Sequence, residues 1–120
     1  MIDLDSARRL AADWCGAWNR RDLDGIMRHY ADDVRLCSPK VVERCGIADG
    51  WIAGKDRLRA YFAIGLRAPD LRFELVDVLL GVNAVSVVYR RETGALVTDV
   101  LELDEHGLGR RVVVCYGQAG

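Results

Sequence analysis

The chain has 120 residues, with 17 lysines and arginines against 18 aspartates and glutamates, and a net charge of −1. Hydrophobic residues make up 51% and charged residues 29%, which predicts a single folded domain over residues 1–120 and excludes a disordered chain. The sequence has no long run of like charges, so we expect neither a nucleic-acid partner nor binding to an acidic membrane surface.

The spacing of cysteines and histidines is not that of a metal site. The cysteines stand at positions 15, 37, 45 and 115 without a C-x-x-C pair, and the histidines at 29 and 106 are far from any two of them. Charged residues at positions 3, 5, 8 and 9 interrupt the apolar core that a signal peptide needs, and no apolar run reaches membrane-spanning length. We therefore expect reduced thiols, no bound metal and a cytoplasmic location.

The first third of the chain predicts a hairpin of two helices. The first helix begins after Asp3, a suitable N-cap, and its apolar side consists of Leu4, Ala7, Ala11, Trp14 and Trp18. Asp22 caps a shorter helix with the apolar side Leu23, Ile26, Met27 and Tyr30, and the aspartates at 32 and 33 end it. We expect both indoles to face inward.

The middle of the chain predicts a short strand, a loop and a third helix. Residues 34–38 alternate as a strand, which Pro39 ends because proline cannot donate to a ladder. Residues 40–54 contain three glycines and little periodicity, which indicates a loop with at most one short strand or a lid-like excursion. The third helix begins at Lys55 and ends at Ala68-Pro69.

The remainder predicts a meander of four strands, at residues 71–80, 84–91, 95–103 and 110–116, separated by turn sequences. Helices followed by a meander indicate an α+β fold in which a curved antiparallel sheet wraps onto the helices, and not a parallel βαβ sheet.

One carboxylate interrupts an apolar row on the third of these strands. Alternation places Asp99 on the same face as Val97, Leu101 and Leu103. If this face turns toward the helices, burial raises the pKa of Asp99 and suits it to donate a hydrogen bond or move a proton near neutral pH. Two alternatives stay open: the face points into a subunit interface, or Asp99 pairs with an arginine.

Other polar side chains are weaker candidates. Each tyrosine combines an apolar ring with a hydroxyl that can reach a ligand or can be satisfied at the rim of the core. Glu43 and Arg44 either close over a pocket or form an exposed loop pair. Both histidines are expected to be exposed.

Three segments together resemble the nuclear transport factor 2-like superfamily and, within it, the SnoaL-like and ketosteroid-isomerase-like proteins. They are AWNRRDLDGIMRHYADDVRLCSP, WIAGKDRLRAYF and TDVLELDEHG. The resemblance implies a cystatin-like cone, in which a curved, mixed β-sheet wraps around N-terminal helices and leaves a deep apolar pocket. It also implies a homodimer and no metal or organic cofactor.

The resemblance to ketosteroid isomerase is partial. The protonated oxyanion-hole aspartate of that enzyme corresponds to Asp99 and a supporting phenol to Tyr30, whereas its general base falls on Ser38 and its oxyanion-hole tyrosine on Trp14. A serine hydroxyl cannot hold a proton taken from carbon, so the isomerase mechanism is not carried over. The aspartate–arginine–aspartate set of limonene epoxide hydrolase-like members matches at most through Asp99.

Two hypotheses for function follow. In the first, the protein binds a hydrophobic cyclic or polyketide-like molecule, with Asp99 as the catalytic acid of an isomerase, cyclase or hydrolase reaction and a cavity lined by Trp14, Trp18, Tyr30, Ser38, Tyr89 and Tyr116. In the second, it is a non-catalytic ligand-binding or dimerisation domain with a vestigial cavity.

Overall fold

The computed structural model describes residues 1–117 and contains four helices and six strands. The helices are α1 (Leu4–Asn19), α2 (Leu23–Met27), α3 (Pro39–Cys45) and α4 (Lys55–Gly65). The strands are β1 (Tyr30–Cys37), β2 (Trp51–Ala53), β3 (Phe73–Leu80), β4 (Ala84–Arg91), β5 (Leu96–Leu103) and β6 (Gly109–Tyr116).

Aspartates cap the first two helices, as the sequence predicts. The Asp3 carboxylate accepts a hydrogen bond from the Ser6 amide at 2.7 Å, and Asp22 accepts one from the Gly25 amide at 3.0 Å. Each bond satisfies one of the amides that a helix start leaves without a partner. Trp14 and Trp18 are both buried on the inner side of α1, also as expected.

The expected extent of α2 is wrong at its C-terminal end. Tyr30 and the aspartates at 32 and 33 belong to β1 and not to the helix. The amide of Gly109 donates to the carbonyl of His29 at 2.7 Å, and Tyr30 pairs with Gly109 in a parallel ladder. Pairing with β6 therefore overrides the helical spacing of Tyr30. His29 is half-buried and bonded to Asp13, so its expected exposure is also wrong, whereas His106 is exposed.

The segment 40–54 is only partly a loop: residues 46–50 lie outside helix and strand and the expected short strand is present as β2, but the first part forms the helix α3. Ser38 accepts a hydrogen bond from the Lys40 amide, Pro39 occupies the first turn, and Gly46 ends α3 with a φ of 68°. These are the usual start and stop residues of a helix, because proline fits the first turn and glycine adopts positive φ freely. The short strand β2 follows. The next helix, α4, ends at Gly65, three residues before the expected end.

The sheet is mixed, curved and unclosed, with the strand order β2-β1-β6-β5-β4-β3. The pair β1–β6 is parallel and the other four pairs are antiparallel. This arrangement confirms the α+β fold in which the sheet wraps around the helices. Three of the four predicted meander strands begin one or two residues away from the expected position, and β4 matches it.

The inner face of the sheet carries the core. Asp99 lies between Val87 of β4 and Val114 of β6 in the strand register, and all three are buried. The neighbouring row runs from Val85 through Leu101 to Val112 and is entirely apolar. The face that contains Asp99 therefore turns inward, as one branch of the sequence analysis expected.

Candidate functional site

Aromatic rings surround the space between α1, α4 and the sheet. Trp18 stacks on Phe73 with ring centroids 5.0 Å apart, and Phe73 stacks on Tyr89 at 4.5 Å. Trp14 meets Tyr89 edge to face at 5.3 Å. Such contacts bury large apolar areas and fix ring orientation. The walls of the site are therefore closely packed and rich in aromatic rings.

Asp99 places a carboxyl group against these rings. It is 3% exposed, and the Tyr89 hydroxyl donates a hydrogen bond to its Oδ1 at 2.8 Å. The second oxygen, Oδ2, has no hydrogen-bonding partner within residues 1–117. A carboxyl group with one satisfied and one free oxygen can offer the free one to a ligand.

Burial raises the pKa of Asp99 to about 7, although the hydrogen bond from Tyr89 and the charge of Arg91 oppose part of the rise. Desolvation disfavours the charged carboxylate more than the Tyr89 hydroxyl and the Arg91 guanidinium together favour it. Burial also raises the pKa of the Tyr89 hydroxyl, which stays protonated and continues to donate. Asp99 is thus able to exchange a proton near neutral pH.

Trp14 and Tyr30 form a hydrogen-bonded pair. The indole N–H of Trp14 donates to the Tyr30 hydroxyl at 2.9 Å, and both residues are buried. Trp14 reaches the cavity, whereas Tyr30 is fully covered and is not among the lining residues. The Trp14 N–H is already engaged, so it does not point a free donor at a ligand.

Ser38 joins β1 to α3 at the edge of the cavity. It is 4% exposed, and its hydroxyl oxygen accepts the Lys40 amide hydrogen at 3.2 Å. The hydroxyl therefore has a structural partner as the N-cap of α3.

Arg91 and Tyr116 lie where the cavity meets solvent. The Arg91 guanidinium pairs with Glu92 at 2.9 Å and donates to the Tyr116 hydroxyl at 3.1 Å. It also lies over the Phe73 ring, 5.3 Å from the centroid. Arg91 is thus held in place from three sides.

These groups surround a cavity of about 40 Å³, which has room for about one water molecule and is well below the range of about 300–1,000 Å³ that is common for small-molecule sites. A larger ligand therefore requires the side chains around the cavity to move. The lining residues are Trp14, Trp18, Leu36, Ser38, Arg44, Tyr61, Phe62, Gly65, Phe73, Tyr89, Arg91, Asp99, Val114 and Tyr116.

The structure brings together most of the residues that the sequence analysis singled out. Asp99 and five of the six expected lining residues border the cavity, and Tyr30 lies behind Trp14. Sequence reasoning missed Arg91, although it follows Val87 and Tyr89 at two-residue spacing on the inner face of β4. It also missed Tyr61 as a lining residue, because helical spacing alone does not separate core from cavity wall.

Trp18 carries an unsatisfied donor. Its indole nitrogen is buried and has no hydrogen-bonding partner in the described part of the chain. Buried donors normally have partners, so a water molecule or a ligand acceptor at this position would satisfy it.

Residues 1–117 contain no cluster of histidine, cysteine, aspartate and glutamate side chains arranged to hold a metal ion. The four cysteines lie as separate thiols. In the same part of the chain, every helix is too short or too polar to cross a bilayer.

The chain belongs to the SnoaL-like family, since residues 11–114 match the model of the SnoaL-like domain. A SnoaL-like protein of unknown function from Burkholderia thailandensis is 34% identical and superposes with a TM-score of 0.92, over 97% of this chain and 98% of that chain. A comparison with curated proteins found no significant match.

More distant structures share the fold. A steroid delta-isomerase from Pseudomonas aeruginosa is 21% identical, with a TM-score of 0.69 over 92% of this chain and 79% of that one. An NTF-2 like protein of unknown function from Burkholderia xenovorans is 17% identical, with a TM-score of 0.78 over 97% and 86% of the two chains. These similarities establish the nuclear transport factor 2-like fold. They do not define a reaction, which has to be inferred from the residues of this chain.

Proposed function

We propose that this protein binds a hydrophobic, cyclic or polyketide-like molecule in the cavity and that Asp99 holds or moves a proton at an oxygen of that molecule. The reaction is of the acid–base kind, in the isomerase, cyclase or hydrolase class, and uses no cofactor. The observation that carries the proposal is a carboxyl group with a free oxygen on the wall of an aromatic cavity.

The environment of Asp99 supports this role. Its pKa of about 7 lets it be a proton donor or acceptor at neutral pH, where general acid–base catalysis is most effective. Tyr89 donates to Oδ1 and so orients the carboxyl group, which leaves Oδ2 for the ligand. The buried N–H of Trp18 supports a second contact with a ligand acceptor.

The chemistry differs from that of ketosteroid isomerase. Ser38 stands at the position of that enzyme's base, and its hydroxyl caps α3. Trp14 stands at the position of the oxyanion-hole tyrosine, and its N–H serves Tyr30. We therefore assign both the removal of a proton from the ligand and its return to Asp99 alone, and not to a pair of carboxylates.

Asp99→Asn tests the proposal, because it keeps the shape of the side chain and removes its proton chemistry. Binding of cyclic ketones, epoxides and aromatic polyketide-like ketones is screened by tryptophan fluorescence, and turnover of each binder by chromatography. We expect Asp99→Asn to lower turnover by about 10²-fold or more, the range of a lost general acid or base.

Glu102→Gln is the matched control, since Glu102 lies on the same strand, is exposed and pairs with Arg111. It is expected to behave like the wild type. Unchanged turnover in Asp99→Asn, with both variants folded, would exclude Asp99 as the acid.

A second role, self-association, is favoured by a separate observation. On the outer face of the sheet, Leu79, Ser86, Val100 and Val113 are adjacent across four strands, and Leu79 is 53% exposed. We propose that this face forms a homodimer, because an exposed apolar patch on a sheet is a common protein interface.

We also propose a cytoplasmic location. The separate thiols of the four cysteines are consistent with a reducing compartment.

A further inference from the structure

The cavity adjoins a larger cleft of about 240 Å³, and Arg44, Arg91 and Tyr116 border both. Lys40 and Glu92 also line the cleft, whose remaining walls are uncharged. Three cations and one carboxylate therefore surround the cleft, which gives it a net positive charge on a chain whose overall charge is −1. We call Lys40, Arg44, Arg91 and Tyr116 the cationic mouth.

The cations of the mouth differ in how far their charge is balanced. Glu92 pairs with Arg91 at 2.9 Å, and Glu43 pairs with Lys40 at 3.1 Å. Arg44 has no carboxylate within salt-bridge distance in the described part of the chain, and its guanidinium lies 5.9 Å from the centre of the Tyr61 ring. Stacking on an aromatic face leaves the N–H groups at the edge of the guanidinium free to bind an anion.

Tyr116 supplies a second donor beside Arg44. Its hydroxyl oxygen accepts from Arg91, and its own hydrogen has no acceptor within residues 1–117. A hydroxyl that accepts a hydrogen bond from a cation becomes a better donor, since polarisation is cooperative along the chain of bonds. Arg91 thus strengthens the Tyr116 hydroxyl as a donor, even though Glu92 balances the charge of Arg91 itself.

The inner face of β4 shows a polarity gradient toward the mouth. The residues on this face are Val85, Val87, Tyr89 and Arg91. The side chains therefore change from aliphatic to phenolic to cationic along the strand. Asp99 pairs with Val87, at the apolar end of this gradient. A ligand that follows the gradient is apolar at its inner end and anionic at its outer end.

We propose that the cationic mouth is an anion subsite, and that the ligand of the cavity is a hydrophobic carboxylic acid whose carboxylate binds Arg44 and Tyr116. The planar guanidinium matches a carboxylate in geometry. The inference rests on the proposed function, since it names the class of molecule that enters the same cavity. It also fixes the orientation of that molecule, with the rings inward.

Calorimetric titration with two probes of equal shape tests the subsite. The probes are 2-naphthylacetate and the neutral 2-naphthylacetamide, and the proteins are the wild type, Arg44→Gln and Arg57→Gln. Arg57 is an exposed arginine of α4 that does not line the cavity or the cleft, which makes it a matched control for loss of one positive charge. Thermal unfolding verifies that both variants are folded.

We expect the acid to bind the wild type about tenfold more tightly than the amide, as one partly exposed charge-assisted hydrogen bond provides. Arg44→Gln should abolish this preference by weakening the acid and not the amide, whereas Arg57→Gln should retain it. Equal binding of both probes to the wild type, or an undiminished preference in Arg44→Gln, would overturn the anion subsite and leave cavity binding intact. Failure of both probes to bind would overturn the proposed function together with the subsite.

Discussion

Asp99 occupies a position where ionisation is opposed from several directions. Val87 and Val114 flank it in the sheet, and the rings of Trp14, Phe73 and Tyr89 line the same cavity. Only Tyr89 donates to its carboxyl group within the described residues. A buried charge with a single donor is poorly solvated, so the neutral acid is the form that the fold favours.

Folding stability is therefore expected to depend on pH through Asp99. In the unfolded chain this carboxyl titrates near pH 4, and in the fold at about 7. Between these values the unfolded state has lost the proton that the folded state keeps, so stability falls as pH rises, by about 1.4 kcal/mol per pH unit. Above pH 7 both states are ionised and the dependence on Asp99 ends.

Urea unfolding of the wild type and Asp99→Asn at pH 4.5, 5.5, 6.5 and 7.5 measures this contribution. The free energy of unfolding of the wild type should fall relative to the variant by a total of about 3 kcal/mol between pH 4.5 and 7.5. All other titrating groups are shared and cancel in the difference. Parallel profiles for the two proteins would mean that Asp99 is already ionised at pH 4.5.

At the level of single residues, the alternating pattern of β5 was sufficient to find Asp99, whereas its burial was one of the alternatives that the pattern left open. The same reasoning applied to β4 would have found Arg91, since it shares the face of Tyr89. Arg44 is different: the sequence left open whether it closes over a pocket or stays in an exposed pair, and the structure places it in α3 near the Tyr61 ring of α4, at the edge of the cavity. Its place depends on tertiary packing, which local periodicity does not encode.

Among the elements, α3 shows how a short helix forms between a strand, β1, and a turn that begins with a glycine. Its seven residues are too few for intrinsic helix stability, so its ends and its packing hold it. Ser38 and Pro39 begin the helix and Gly46 ends it. Within the helix, the side chain of Val41 is buried. The sequence contained these signals, but Pro39 also ends a strand, and the weak apolar periodicity of 40–54 favoured a loop.

Ser38→Ala is expected to loosen α3. Loss of an N-cap destabilises a helix by about 1 kcal/mol, because the Lys40 amide loses its acceptor. Hydrogen exchange should show faster exchange at the amides of α3, whereas α1, which has its own cap at Asp3, serves as the internal control. Unchanged protection across α3 would indicate that packing of Val41 alone maintains the helix.

For the whole molecule, periodicity and turn residues predicted the helices α1, α2 and α4 and the four-strand meander, but not α3 or which face of the sheet turns inward. The parallel pair β1–β6 was not, because its partners Tyr30 and Gly109 are 79 positions apart and no local pattern links them. The same long-range pairing explains the error at the end of α2. Family resemblance supplied the overall shape that local rules could not.

The proposed homodimer is tested at this scale by sedimentation at micromolar concentration. The wild type should sediment as twice 13.4 kDa, and Leu79→Lys as a monomer, because it places a charge on the apolar outer face of the sheet. Ile64→Lys is the control, since Ile64 is comparably exposed on α4 but lies away from that face. A monomeric wild type, or a dimer in Leu79→Lys, would contradict the proposed interface.

The position of β6 has a consequence for the time course of folding. Although it is the sixth strand in sequence, it lies between β1 and β5 and joins two otherwise separate parts of the sheet. The meander can form from local hairpins, whereas β1 must wait for a partner from the far end of the chain, and closing so long a loop slows folding. During synthesis, the complete sheet can therefore form only after residues 109–116 have left the ribosome.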